Sequence, residues 1–261
     1  MNLFRVRGIQ LAVHFSFILW LVFRAQDGWQ EGGWPGMLWG TGTLLAFFTC
    51  VVLHEFGHSF TAMHYGIGVR RILLMPIGGM AEMDDIPRQP SRELLITLAG
   101  PAVNFVIALL LWGGLRLSNA ATENAAEYSL VGFLDELRFW NLLMGVFNLL
   151  PAFPMDGGRI LRALLAVKMP YLGATFWAAT IGKIVAGLCA LAALVVPPLV
   201  FHQTPAYLLV ALFLFIIFAG EMELRAVRRR ELDDAHWRAV LARVYAQDVP
   251  PPLEEPPVLK R

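Results

Sequence analysis

Two histidines and a glutamate in the run His54-Glu55-Phe56-Gly57-His58 are the residues whose types and spacing most directly imply chemistry. On a helix, residues four apart share a face, so both imidazoles can be offered to one ion. Glu55 lies beside them, near enough to take a proton from a metal-bound water. This is the logic of the HExxH zinc motif: zinc lowers the pKa of bound water towards about 7 and polarises a carbonyl. By residue frequencies the pattern arises by chance in roughly one chain of this length per hundred. Its setting adds weight. Residues 37–52 carry no charge, and ionisable groups at membrane depth are costly and usually functional. The competing reading is a helix end with interfacial histidines.

A catalytic zinc keeps three protein ligands and an open position. The best third candidate is Asp156, in Asn148-Leu-Leu-Pro151-Ala-Phe-Pro154-Met-Asp156-Gly157-Gly158. The two prolines break a helix, and the glycines permit unusual backbone angles. Irregular backbone at membrane depth is tolerated where it is buried in protein or lines a water-filled cavity. The competing reading is an ordinary helix-ending loop with the aspartate as a cap.

The elements that must position these residues are membrane spans. The chain has 261 residues, 57% hydrophobic and 16% charged, with a mean hydropathy of +0.58. Ordinary soluble domains carry about 25% charged residues. The apolar runs are long enough to cross a bilayer, which takes roughly 20 helical residues. The expected fold class is an all-α polytopic membrane protein with about six transmembrane helices. The spans are expected near 9–23, 38–64, 94–117, 133–150, 175–196 and 206–221. The expected organisation is a transmembrane domain over 1–224 and a charged, partly disordered tail over 225–261. The N-terminal run lacks the small-residue cleavage site of a signal peptide. Cys50 and Cys189 both lie in apolar runs without disulfide or metal spacing.

Lys and Arg segregate if there are six spans. Arg5, Arg7, Arg70, Arg71, Arg88, Arg92, Arg159, Arg162, Lys168 and the basic tail fall on one side; Arg24, Arg116 and Arg138 fall on the other. The positive-inside rule then puts both termini in the cytoplasm. The second and fourth spans run in the same direction, so His54, His58 and Asp156 can meet at similar depth. The segment from Arg70 to Met83 reads as a small membrane-associated β-hairpin turning about Gly78-Gly79.

The ordered pair HEFGH and NLLPAFPMDGG resembles the two motifs of the site-2 protease family of intramembrane metalloproteases. The likeness covers the second to fourth spans and extends to GIQLAVHFSF and PIGGMA. It implies one Zn2+ per chain held by His54, His58 and Asp156, with Glu55 as general base and a hydrated cavity open to the cytoplasm. It implies Asn148 as a donor to substrate backbone or oxyanion, and Gly78 and Gly79 in a strand that pairs with unwound substrate. An ordinary cytoplasmic hairpin remains the alternative for those glycines. The loops have no room for a PDZ domain and the tail none for a CBS pair, as in a core-only member. The implied partner is a single-span membrane protein substrate in a bacterial cytoplasmic membrane.

Other residues are weaker signals. Asn104 reads as packing support near the site, able to bond across to the second or fourth helix, with Gly100 and Ala102 allowing close approach. Pro151, Pro154 and Gly157 read as structural support. His14 is expected to be a buried, hydrogen-bonded histidine, or else a gating residue. Lys183 is expected to snorkel or to border the cavity. The cluster Arg225–Arg230 reads as a membrane-surface anchor, with the lipid bilayer and not nucleic acid as its partner. Two rival functions are a non-catalytic membrane binding or chaperone-like homologue and a metal transporter. The first tolerates loss of a ligand or of Glu55, yet all four positions are filled. The second favours several weak sites along a path, and the sequence offers one compact site.

Overall fold

A computed structural model describes residues 1–76, 78–84, 88–117, 129–201 and 204–247. The chain opens with strands β1 (Asn2–Val6) and β2 (Ile9–Val13), joined at Arg7 and Gly8. Both turn residues have positive φ, 48° and 91°, as a tight two-residue hairpin turn requires. The first expected span therefore starts late: residues 9–13 are strand. Ile9, Leu11, Ala12 and Val13 are buried, and the His14 backbone N–H donates to the Leu74 carbonyl at 2.8 Å. His14 is exposed and caps the following helix, its ring accepting from the Ser16 amide. That corrects the expectation of a buried histidine, because the span begins after it.

Helix α1 (Phe15–His64) has 50 residues. Straight, it would be about 75 Å long, more than twice a bilayer's hydrocarbon core of about 30 Å. It folds back at Gly32 and Gly33, where Gly33 has φ 61°. The two arms run antiparallel. Phe48 of the second arm meets Phe17 and Trp20 of the first at ring-centroid distances of 4.6 and 5.6 Å. Near the bend, a Cβ on Gly28 would lie 2.4 Å from the Gly36 carbonyl oxygen. The stretch expected as a loop between the first two spans is thus helical up to the bend.

Strands β3 (Val69–Met75) and β4 (Gly78–Met83) follow. Met75 pairs with Gly78 and Leu74 with Gly79, so both glycines belong to the strand and not to the turn. The expected hairpin is half of a four-stranded sheet in the order β1-β2-β3-β4, with β2 and β3 parallel across the α1 connection. Its buried face, with Ile9, Leu11, Val13, Ile72 and Leu74, packs on Phe17, Leu44, Phe48, Val51 and Val52 of both α1 arms.

Helix α2 (Pro90–Leu117) and helix α3 (Leu130–Asn148) come next, then the short α4 (Asp156–Ala166). Helices α5 (Tyr171–Phe201) and α6 (Tyr207–Gln247) complete the described chain. Among the described residues, α1, α2, α5 and α6 are long and apolar enough to cross a membrane. With α1 counted as two arms and α3 (19 residues) as a shorter pass, the bundle has six. Large side chains such as Leu110, Leu188, Leu208 and Phe218 stand exposed on its outside, as lipid-facing residues do. The protein is an integral membrane protein. Helix α6 continues without a break through residue 225 to 247; the Pro-rich end of the expected tail lies outside the described residues.

Candidate metal centre

The second arm of α1 carries His54 and His58 one turn apart. Their Nε2 atoms lie 3.0 Å from each other. Asp156, the first residue of α4, brings its Oδ2 to 3.2 Å from each of them. All three side chains are buried. Around a tetrahedral zinc with bonds of about 2.0 Å, ligand atoms are separated by about 3.3 Å. The triangle therefore has nearly the spacing of three corners of such a site.

The hydrogen bonds behind the triangle test the fit further. His54 Nδ1 donates to Asn104 Oδ1 at 2.6 Å, and His58 Nδ1 donates to the Ile96 carbonyl at 2.8 Å. With Nδ1 donating, a neutral ring at either position turns an Nε2 lone pair to the centre. Asp156 Oδ2 has no hydrogen-bond donor. Three lone pairs that converge without a proton between them repel unless a cation joins them. The residues fit a divalent metal, and nitrogen, nitrogen and carboxylate oxygen suit zinc.

Helix α2 supports both imidazoles. Asn104 is fully buried; its Nδ2 donates to Asn141 Oδ1 on α3 at 3.0 Å, and Asn141 Nδ2 donates to the Leu137 carbonyl at 2.8 Å. One amide chain therefore runs from His54 through α2 into α3 and fixes the ring orientation. Gly100 makes this approach possible, since a Cβ there would lie 2.2 Å from His58 Nε2 and 2.7 Å from His54 Nε2.

The loop 149–155 delivers Asp156. It turns back on itself through bonds from the Ala152 amide to the Leu150 carbonyl and from the Met155 amide to the Ala152 carbonyl. Pro151 and Pro154 lie in it, and the Phe153–Pro154 peptide is cis. Gly157 lets α4 start hard against the preceding turn: a Cβ there would meet the Leu150 carbonyl oxygen at 2.1 Å. Helices α5 and α6 hold the loop, with Ala152 and Met155 against Ala186 and Ile216, and Phe153 against Ala178, Ala179 and Leu224.

Glu55 is half-buried beside the ligands. Strand β4 passes against it, so that a Cβ on Gly79 would meet Glu55 Cγ at 2.6 Å and Oε1 at 3.1 Å. Gly78 makes no such approach. Strand β4 is the last in the sheet order, so its outer edge has no partner strand among the described residues. Asn148 is turned to its own helix, its Nδ2 donating to the Met144 carbonyl at 3.1 Å.

Sequence reasoning missed several residues around the site. Asn141 is one, although an amide in the apolar run Phe139–Met144 was a usable signal. Arg162 and Glu93 are others: both are almost wholly buried. Lys183 donates to Glu221 Oε2 at 3.0 Å, and Arg225 donates to the other oxygen at 3.1 Å, which ties α5 to α6.

Comparison with known proteins agrees with this architecture. The model of peptidase family M50 matches residues 42–120 and 113–186. A zinc metalloprotease of Methanocaldococcus jannaschii is 41% identical over 226 residues, 87% of this chain and 61% of that protein. Stage IV sporulation protein FB of Bacillus subtilis is 26% identical over 163 residues, 62% of this chain and 50% of that one. The chain thus spans between half and about three fifths of these relatives. The solved structure of a site-2 protease from Methanocaldococcus jannaschii superposes with a TM-score of 0.58 at 40% identity, covering 86% of this chain and 94% of that one. On the matched motif region and the shared fold together, the chain belongs to peptidase family M50, the family of the site-2 proteases.

Proposed function

We propose that the protein is a zinc metalloendopeptidase that hydrolyses peptide bonds in or beside the transmembrane segments of other membrane proteins. The observation that carries this is the buried triangle of His54, His58 and Asp156 with Glu55 and the open edge of β4 beside it. His54, His58 and Asp156 hold the metal. When bound, zinc supplies Lewis-acid chemistry, acidifying water and polarising a carbonyl. Glu55 takes the proton of the attacking water and returns it to the leaving amine.

A helical substrate hides its peptide bonds in its own hydrogen bonds, so it must be extended before it is cut. The free edge of β4 offers backbone partners for one added strand. Gly79, with no side chain, lets β4 and a strand added to it lie close beside Glu55. Asn148 is the proposed amide donor to substrate, which requires it to exchange its bond to Met144 for one to the incoming chain.

The substrate is a single-span membrane protein, and the setting is a bacterial cytoplasmic membrane with both termini in the cytoplasm. The segregation of Lys and Arg supports this orientation. It puts the ligands towards the cytoplasmic end of the second α1 arm, about 9 Å along the helix from His64 to His58.

The test is Glu55→Gln, with cleavage of a single-span reporter and bound zinc measured on the same preparation. The proposal expects zinc content to be unchanged and cleavage to fall by about 10³-fold or more. Cleavage at the wild-type rate would remove Glu55 from the mechanism.

A further inference from the structure

The coordination triangle draws on the second arm of α1 and the start of α4, and α2 orients both imidazoles through Asn104 and the Ile96 carbonyl. Such a ligand set is only as well placed as the contact between those helices. One side chain ties α4 to α2 by charge. Arg162 is 1% exposed. Its Nε and Nη2 both donate to Oε1 of Glu93 on α2, at 2.8 and 2.6 Å. Its Nη1 donates to Oε1 of Glu223 on α6 at 2.7 Å. The guanidinium carbon lies 5.2 Å from the centre of the Phe153 ring and 5.0 Å from that of Tyr171. Tyr171 donates to the same Glu93 oxygen at 3.4 Å. A single guanidinium thus meets α2, the loop that delivers Asp156, the start of α5, and α6.

The position of this cluster along the helices matters. Glu93 lies one turn before Ile96, whose carbonyl holds His58. Arg162 lies in the same 11-residue helix that begins with Asp156. The start of α4 has no side-chain cap hydrogen bond. The clamp at Arg162 therefore supplies the charged restraint on the axial slide and rotation of α4 against α2. Metal–ligand distances tolerate only about 0.2 Å, so a slide of about 1 Å would take Asp156 out of reach of an ion held by the histidines. A buried ion pair contributes little net stability over apolar residues of the same volume. Specifying a position is what such a cluster does well.

We propose that Arg162 is a positioning residue for the metal centre: clamped by Glu93 and Glu223, it sets the register of α4 against α2 and so the place of the Asp156 carboxylate. The inference rests on the metalloprotease reading above, in that it takes zinc as the ion. The test uses the full chain in detergent, with zinc affinity from chelator competition and the visible spectrum of the Co2+-loaded protein. Arg162→Lys keeps the charge and loses the fork. It is expected to weaken zinc binding by about 10- to 100-fold and to change the cobalt spectrum, while Asp156 itself is intact. Should Arg162→Lys fail to fold, Glu223→Gln removes only the partly exposed arm and is expected to shift both readouts in the same direction by less. Wild-type affinity with an unaltered cobalt spectrum in the folded variant, even at a lowered melting temperature, would overturn the proposal and leave Arg162 a purely structural clamp. A wild-type chain that bound no zinc would instead overturn the metalloprotease reading itself.

Discussion

Two buried polar clusters in this bundle obey opposite charge rules. At the candidate metal centre, two imidazoles are bonded outward through Nδ1, and their Nε2 atoms converge with one carboxylate oxygen on a common point. At the α4 clamp, a guanidinium already sits between two carboxylates. The first cluster needs a cation from outside the chain; the second carries its own. Burial and ionisable side chains are common to both, so neither feature marks a ligand site by itself. What distinguishes the metal centre is that its imidazoles are bonded outward while a carboxylate oxygen without a donor faces their inner nitrogens.

That contrast can be broken in several ways. The largest effect is expected at Gly100. Gly100→Ala puts a methyl group against both Nε2 atoms, and zinc content measured by atomic absorption should fall to background while the metal-free fold survives. Next comes Arg162→Met, which leaves Glu93 buried and unpaired. Chemical denaturation should report a loss of about 3–5 kcal/mol, and added zinc should not restore it. Smaller again is Asn104→Ala, which frees the His54 ring from α2. Zinc affinity should drop by about 10- to 100-fold, with stability changing by no more than about 1–3 kcal/mol for the stranded Asn141 amide. If Gly100→Ala kept its zinc and Arg162→Met cost no stability, the assignment of roles to the two clusters would fail.

The three residues of the candidate metal site were legible in the sequence because each motif is local. His54, Glu55 and His58 lie within two turns of one helix, and Asp156 announces itself through the prolines and glycines around it. Bringing the two motifs together required only that their spans run in the same direction. The misses arose where the answer lay in a distant partner or an ambiguous period. Residues 9–13 run straight into the apolar start of α1, and a short apolar run does not by itself separate strand from helix. The bend in α1 depends on Gly32 and Gly33 inside a stretch that reads as a polar connection. Arg162 counted as one more cytoplasmic charge, because nothing near it in sequence reveals Glu93 as its partner. Gly100 was read for helix packing alone, since its contact with two imidazoles exists only once α1 and α2 are together.

X-ray absorption at the zinc edge, on wild-type protein and Asp156→Ala, tests the central claim most directly. The account predicts one zinc per wild-type chain, bound by two imidazole nitrogens and carboxylate oxygen at about 2.0–2.2 Å, and a sphere lacking the carboxylate, with weakened retention, in the variant. Wild-type protein without stoichiometric zinc, or a zinc sphere identical in Asp156→Ala, would contradict it.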